Sequence, residues 1–164
     1  MKTLILVRHA KSSWDDPYLS DFDRPLNSRG QRDAPRMARR LKEKELAPDL
    51  LLSSPAVRAL TTCEIIANGI GYAEKNIKTD KAIYHASDEA LLEIVQQLDD
   101  KLDMVMLFGH NPGLTEFVNH LTKSRIDNIP TCGIVAINLP VNHWRELNWK
   151  SGKVKFFDFP KKDV

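Results

Sequence analysis

The sequence predicts an α/β sandwich built on a mainly parallel β-sheet. Three continuous apolar runs, at 3–8, 49–53 and 103–109, are typical of strands that are covered on both faces. Segments with apolar residues at helical spacing follow these runs, so strand and helix alternate along the chain. This alternation favours a parallel sheet between helices, in which ligands collect beyond the carboxyl ends of the strands.

The other elements follow in order, without a repeat, a linker or a low-complexity tract. A polar loop with two prolines is expected at 16–27. Further strands are expected at 77–79, 133–139 and 144–149. The predicted helices run from about Asp33 to Leu46 with Pro35 in the first turn, from Pro55 to about Asn68, from a cap at Asp88, and from Pro112.

Length and charge narrow the class of protein. A chain of 164 residues fits one domain, predicted to span 1–164. Its net charge of +2 gives no general attraction for nucleic acid, so an anion site would have to be local. The apolar run near the start is too short for a signal peptide, and no run has transmembrane length. We therefore expect a cytoplasmic protein, monomeric, with neither a nucleic-acid nor a membrane partner.

Cationic and imidazole side chains follow all three apolar runs. Arg8 and His9 come after the first, and Arg58 lies about one turn into the helix after the second. The third leads into Gly-His-Asn-Pro-Gly, which places His110 beyond its end. If the three strands are parallel neighbours, two guanidinium groups and two imidazoles converge at one edge of the sheet, close to helix N-termini.

This combination of residues suits a phosphate dianion. Guanidinium groups hold phosphate oxygens in a fork, while one imidazole can attack phosphorus and the other, carrying a proton, can stabilise spreading charge. The sequence has no Walker-type phosphate loop and no carboxylates spaced for magnesium or for a histidine metal site. We expect no metal and no cofactor, and a histidine nucleophile would split phosphoryl transfer into two steps.

Four stretches in a fixed order carry a family resemblance: LVRHAKSSW, DRPLNSRG, LLSSPAVRALTT and LFGHNPGLTEF. From residue 3 to about 120 the chain resembles the histidine phosphatase superfamily, and within it the short SixA-type phosphohistidine phosphatases. The resemblance implies a three-layer α/β/α sandwich of the phosphoglycerate-mutase type. It also implies that His9 is the nucleophile and that Arg8, Arg58 and His110 complete the phosphate pocket.

Four further residues are candidates for contact with substrate. Arg24 is expected near the phosphate, with a salt bridge in the loop as the alternative. Asn111 and Gly113 are expected to shape the turn that aims His110, with backbone amides near the phosphate. His85 is either a surface histidine of its loop or a residue at the rim of the site.

The general acid of larger family members has no clear counterpart in this sequence. Candidates between the second arginine motif and the second histidine motif are Glu74, Asp80, Asp88, Glu89 and Glu93. A missing acid would favour the N–P bond of phosphohistidine over a phosphoester, since an alkoxide leaving group needs a proton donor. The intervals between the motifs also have no insertion long enough for a cap domain, so an open pocket is expected.

The predicted function is that of a metal-independent phosphatase that works through a phosphohistidine intermediate and acts on phosphohistidine in proteins. A broad phosphatase for small phosphomonoesters, or a phosphosugar mutase, is the first alternative. A phosphate-binding module without turnover is the second. The intact His9 speaks against the second alternative, because binding alone needs the cations and not a nucleophile.

Overall fold

The computed structural model describes residues 1–162 and contains one six-stranded sheet. The strands are β1 (Lys2–Arg8), β2 (Leu50–Ser53), β3 (Lys78–Thr79), β4 (Met104–Gly109), β5 (Ile134–Leu139) and β6 (Lys153–Asp158). Their order across the sheet is β3-β2-β4-β1-β5-β6. The first four are parallel to one another, and β5 and β6 extend the sheet in antiparallel fashion. The prediction of a mainly parallel sheet is therefore confirmed.

Two helices cover each face of the sheet. These are α1 (Ser28–Glu43) and α2 (Val57–Ile70) on one side, and α3 (Asp88–Gln96) and α4 (Gly113–Leu121) on the other. Alternate residues of β1 divide between the two cores: Leu4 and Leu6 pack towards α3 and α4, and Ile5 packs towards α1 and α2. This confirms the three-layer sandwich. Among the described residues, no helix combines the length and apolar character needed to cross a membrane.

Helix α1 begins five residues earlier than predicted. The side chain of Asn27 accepts a hydrogen bond from the amide of Gly30 at 2.9 Å and so caps the helix. The prediction followed the apolar stripe, which starts only at Ala34, and therefore missed a polar first turn. Pro35 consequently lies inside the helix and not in its first turn. Helix α3 shows a smaller error, because Ser87 and not Asp88 is its N-cap.

The predicted strand at 144–149 was wrong. This segment forms a 3₁₀ turn over Trp144–Glu146, and Trp144 and Leu147 are both buried. The indole nitrogen of Trp144 donates to the carbonyl of Leu102 at 2.9 Å, so the side chain is anchored in the core below the sheet. The two apolar residues are three positions apart, which is a helical spacing and does not alternate as a strand would. The closing strand is β6, further along the chain.

Candidate active site

The carboxyl ends of β2, β4 and β1 lie side by side, as the sequence analysis required. Arg8 pairs with Gly109 at the end of the β1–β4 ladder, so His9 and His110 both follow directly from neighbouring strands. The amide of His9 donates to the carbonyl of Gly109 at 3.2 Å, and the two imidazole centroids are 5.3 Å apart. The parallel register is therefore what brings the two histidines together.

A cavity of about 210 Å³ opens at this edge of the sheet. It is lined by Arg8, His9, Lys11, Ser12, Trp14, Arg24, Arg58, His85, His110, Asn111 and Thr131. Seven of the eight predicted site residues are in this set, and the eighth, Gly113, is not. Among the described residues that line it there is no Asp or Glu.

The imidazole of His9 is oriented by the backbone of the next residue. Its Nδ1 lies 2.7 Å from the carbonyl oxygen of Ala10. A carbonyl can only accept, so Nδ1 carries the ring proton and Nε2 keeps its lone pair. Burial, with repulsion from Arg58 and Arg8, lowers the pKa of His9 to about 4. At neutral pH the ring is therefore an uncharged base that can act as a nucleophile.

His110 is held by a serine that the sequence analysis did not single out. Its Nε2 lies 2.8 Å from Oγ of Ser54, which is fully buried. Ser54 Oγ accepts from the amide of Ala56 at 3.2 Å, and within residues 1–162 its hydroxyl proton has no acceptor other than His110 Nε2, so we assign Ser54 as the donor. The ring proton of neutral His110 then resides on Nδ1. Ser54 lies in the SSP part of the LLSSPAVRALTT motif, and this position was the available signal for it.

Neither imidazole is charged in the protein alone. Burial, with repulsion from His9 and Arg58, lowers the pKa of His110 to about 3. The sequence analysis expected one histidine to carry a positive charge. The structure corrects this, because the arginines already supply positive charge and a buried imidazolium beside them would be strongly disfavoured. His110 can still donate a hydrogen bond through Nδ1.

Arg58 is fixed at the start of α2 by Asp21. Its Nη1 donates to the Asp21 carbonyl at 2.6 Å, and its Nη2 donates to the carboxylate at 2.9 Å. Tyr84 donates its hydroxyl to the same carboxylate at 2.6 Å. This hydroxyl and Arg58 lower the pKa of Asp21, so the carboxylate is ionised and cannot donate a proton.

The other two arginines are also partly tied to the protein. Arg8 donates from Nη1 to the carbonyl of Ile129 at 2.9 Å, and Arg24 donates from Nη2 to Ser12 Oγ at 2.8 Å. Burial, with repulsion from Arg58, lowers the pKa of both. They remain cations at any physiological pH, because guanidinium groups lose their proton only under strongly basic conditions.

The remaining donors of these side chains are buried without partners. Within residues 1–162, five buried side-chain nitrogens accept or donate no hydrogen bond: Arg8 Nε, Arg24 Nε, Arg24 Nη1, Arg58 Nε and His110 Nδ1. All of them belong to residues that line the cavity. An unpaired buried donor costs about 1–3 kcal/mol, and more when charged. Their convergence indicates a site for a ligand rich in acceptors and negative charge.

The structure shows the loop salt bridge of Arg24 and places its side chain at the cavity, while contact with phosphate stays a prediction. Arg24 lines the cavity, and its Nε lies 3.5 Å from Asp21 Oδ1, an ion pair that is too poorly aligned to count as a hydrogen bond. Trp14 stacks on it, with the guanidinium carbon 3.4 Å from the ring centroid. The exposed side chain of His85 lies at the rim, 6.3 Å from the His110 ring and stacked on Tyr84 at 3.9 Å, and its contact with substrate stays a prediction.

Asn111 and Gly113 shape the turn after β4. The Asn111 side chain accepts from Thr115 Oγ1 at 2.8 Å and donates to the carbonyl of Ile129 at 3.0 Å. A Cβ at Gly113 would lie 2.0 Å from the carbonyl oxygen of Ala86, so glycine allows the 84–86 segment to pack against the start of α4. Contact between the backbone amides at 111–113 and phosphate remains a prediction.

The structure places none of the five acids considered as a general acid in the cavity. The carboxylate near the site is Asp21, which the search missed because it covered only the interval between the second arginine motif and the second histidine motif. Its position three residues before Arg24 in DFDRPL was the available signal. Asp21 is ionised, so it holds arginines in place and does not replace the acid.

Comparisons with known proteins agree with this architecture. The sequence matches the profile of the histidine phosphatase superfamily (branch 1) over residues 4–84. It is 34% identical over 159 residues to an uncharacterised chloroplastic protein of Arabidopsis thaliana, covering 92% of this chain and 72% of that protein.

Solved structures share the whole fold. The putative phosphohistidine phosphatase SixA from Agrobacterium tumefaciens superposes with a TM-score of 0.81 and 26% identity, over 97% of this chain and 98% of that one. The protein histidine phosphatase SixA complexed with tungstate superposes with a TM-score of 0.82 and 20% identity, over 96% and 97% of the two chains.

A three-layer sandwich of the phosphoglycerate-mutase type, with paired histidines among arginines at its strand ends, defines a phosphatase architecture. The chain belongs to the histidine phosphatase superfamily, and its fold is that of the SixA-type members. It is therefore a phosphatase.

Proposed function

We propose that this phosphatase hydrolyses phosphohistidine in proteins, without a metal ion, through a phosphoryl intermediate on His9. The observation that carries the proposal is the make-up of the cavity: it combines a neutral, oriented histidine with arginine donors and, among the described residues, has no carboxyl group in its lining. The neutral histidine among arginines suits attack on phosphorus. The absence of a carboxyl group from the described lining favours a substrate whose leaving group needs no proton from an acid.

In the first step, the lone pair of His9 Nε2 attacks phosphorus in line with the leaving group. The new N–P bond forms as the N–P bond of the substrate breaks, and its electron pair returns to the substrate imidazole. Free donors of Arg8, Arg58 and His110 hold the equatorial oxygens, where charge spreads in the transition state. The Ala10 carbonyl accepts from Nδ1 and so stabilises the positive charge that His9 acquires.

The leaving group explains why a carboxylic acid is dispensable. A phosphohistidine whose ring is protonated releases a neutral imidazole, whereas an alkyl ester releases an alkoxide that needs a proton. Asp21 is ionised and donates none. The site therefore favours an N–P bond over an alkyl ester.

In the second step, water attacks the phosphoryl group on His9. The N–P bond breaks, its electron pair returns to Nε2, and both protons of the water leave with the product as dihydrogen phosphate. His9 is then neutral again, with its proton still on Nδ1. No group outside the cavity is needed for the charges to balance.

One observation favours the broad small-molecule phosphatase as a second candidate. Lys11, Trp14 and His85 are exposed where they line the cavity, so its mouth is open and discriminates poorly by shape. Aryl phosphates, whose phenolate leaves without strong acid assistance, would fit such a site.

The test compares three substrates in the presence of EDTA: a phosphohistidine peptide, an aryl phosphate and a sugar phosphate. We expect fast loss of phosphohistidine, slower aryl hydrolysis and very slow sugar-phosphate hydrolysis. His9→Ala should be inactive, while His143→Ala, which alters an exposed histidine paired with Asp100 away from the cavity, should keep full activity. Faster turnover of the sugar phosphate would favour the second candidate, and phosphate binding without any turnover would favour a binding module.

A further inference from the structure

The loop between β1 and α1 carries most of the exposed apolar side chains of this protein. Residues 14–23, which we call the rim loop, are exposed at ten successive positions. Within residues 1–162, five large hydrophobic side chains are exposed, and four of them lie in this loop: Trp14, Tyr18, Leu19 and Phe22. A concentration of apolar surface in one short segment marks an interaction site more often than scattered residues do.

The rim loop has a defined base. Ser12 and Leu26 form an antiparallel bridge, and the amide of Ser13 donates to the carbonyl of Pro25 at 2.7 Å. Inside the loop, the carboxylate of Asp16 accepts from the amide of Tyr18 at 2.9 Å. These contacts hold the backbone of the loop at its base and within it, while its side chains are exposed.

Both ends of the rim loop contact the active site. Trp14 lines the cavity and stacks on Arg24, while Asp21 binds Arg58 at the other end. Phe22 packs edge-on against Tyr84, with ring centroids 5.2 Å apart. Tyr18 and Leu19 lie between these anchors and outside the cavity lining, so a ligand that reaches them must extend beyond the phosphoryl group.

The charge of the rim loop is opposite to that of the cavity. The loop contains four aspartates and no basic residue, and the cavity lining contains three arginines and a lysine. In the part of the chain that the structure describes, Asp21 is ion-paired with the cavity arginines, whereas Asp15, Asp16 and Asp23 have no ion-pair partner. A matching ligand is a phosphoryl group that is flanked by positive charge.

We infer that the rim loop is the docking surface for the protein substrate, and that it recognises basic and apolar side chains next to the phosphohistidine. This inference rests on the proposed function. A small metabolite held in the cavity would not reach Tyr18, which lies outside the cavity lining, and an anionic membrane surface would be repelled by the aspartates. In a polypeptide with lysine or arginine beside its phosphohistidine, the phosphoryl group can bind the cationic cavity while the basic side chain binds the acidic rim loop.

The experiment uses two phosphohistidine peptides that share an apolar spacer and differ only in lysine or glutamate flanks. Free phosphohistidine and an aryl phosphate serve as substrates too small to reach Tyr18 and Leu19, which lie outside the cavity lining. The wild-type protein should prefer the lysine-flanked peptide by about tenfold in kcat/KM at low salt, and added salt should reduce the preference.

Two variants separate the charge of the loop from its apolar surface. Asp15→Lys should reduce the preference about threefold or more, while the matched control Glu43→Lys, an exposed carboxylate at the far end of α1, should leave it unchanged. Tyr18→Ser combined with Leu19→Ser should raise KM about fivefold for both peptides with kcat unchanged. Hydrolysis of free phosphohistidine and aryl phosphate should be unaffected in all variants.

The outcomes distinguish this inference from the proposed function. If the wild-type protein hydrolyses free phosphohistidine but treats both peptides and all variants alike, the docking surface is wrong and the function stands. If it hydrolyses aryl phosphate but no phosphohistidine, both fail. If it dimerises in sedimentation velocity and the Tyr18→Ser/Leu19→Ser variant is monomeric, the loop is instead a contact between two copies of this chain.

Discussion

The ring proton of His110 is placed by a serine hydroxyl. Ser54 donates to His110 Nε2 and so leaves a hydrogen on Nδ1, the atom that is buried without a partner beside the cavity. A phosphoryl oxygen would accept this hydrogen bond. Ser54 is thus a positioning residue for His110, which stabilises the transition state in the proposed mechanism.

Substituting this serine should reduce the rate more than it reduces stability. Ser54→Ala removes a bond of about 1–2 kcal/mol that orients His110, so kcat should fall about tenfold with little change in KM. Ser53→Ala is the matched control, because that serine is equally buried but donates to the Ser54 carbonyl. Equal losses of kcat in the two variants would contradict the role given to Ser54.

Asp21 combines two effects on phosphate binding that can be separated. Its carboxylate positions Arg58, and its negative charge opposes an incoming dianion. Asp21→Asn keeps an oxygen for Arg58 and Tyr84 but removes the charge, so competitive inhibition by inorganic phosphate should strengthen about threefold. Asp21→Ala removes both the negative charge and the contact that positions Arg58, and it should weaken inhibition by inorganic phosphate. The same inhibition constant in both variants would show that Asp21 does not position Arg58.

The two buried imidazoles make stability depend on pH. Their pKa values are lowered from 6.5 to about 4 for His9 and about 3 for His110, so the unfolded chain takes up protons at a higher pH than the folded one. Stability is therefore lost as pH falls below about 6.5. Between pH 7 and pH 5 each group should remove about 2 kcal/mol from the free energy of unfolding in urea. His9→Gln should halve the loss in the free energy of unfolding that the two histidines cause between pH 7 and pH 5. If the dependence of this free energy on pH is the same in the variant, the lowered pKa of His9 is wrong.

The packing of α4 against the 84–86 segment places His85 and Tyr84 at the rim. Gly113→Ala would bring a Cβ to 2.0 Å from the Ala86 carbonyl, so this segment must move. Both Tm and kcat/KM should fall, the latter about tenfold. Gly71→Ala is the control: this glycine has φ of 82° and open space around it, so the substitution should cost about 1 kcal/mol of stability only. Full activity of Gly113→Ala would mean that the rim segment does not matter for catalysis.

Elements were predictable where the core shapes the pattern of residues. Each buried strand next to the site has an apolar run, so β1, β2 and β4 were predicted to within one residue at each end. The strand predicted at 144–149 was wrong because a buried tryptophan in a turn resembles a strand residue in composition. The start of α1 was missed because its first turn depends on a cap at Asn27 and buries little apolar surface.

At the scale of the whole molecule, topology explains how much of the site could be predicted. Arg8, His9, Arg58 and His110 follow strand ends, and the order β2-β4-β1 brings these ends together. Asp21 and Ser54 could not be assigned in this way, because their roles depend on side-chain contacts with Arg58 and His110. The motifs SSP and DFDRPL mark the positions of these two residues but do not reveal which side chains they contact.

The open edge of the sandwich leaves room for the protein substrate that we propose. All three arginines of the cavity lie at the carboxyl edge of the sheet together with His9 and His110, and the loops there leave the mouth exposed. The two helical layers cover the other surfaces of the parallel strands. Chemistry and access to the substrate are therefore confined to one end of the molecule.

The most direct test of this account is to trap the phosphoenzyme. The protein would be mixed with a phosphohistidine peptide in EDTA, quenched in alkali during turnover, digested and analysed by mass spectrometry. The account predicts one phosphoryl group on His9, which disappears as free phosphate accumulates, and none in His9→Ala. Turnover without a phosphorylated His9, or a phosphoryl group on His110 instead, would contradict it.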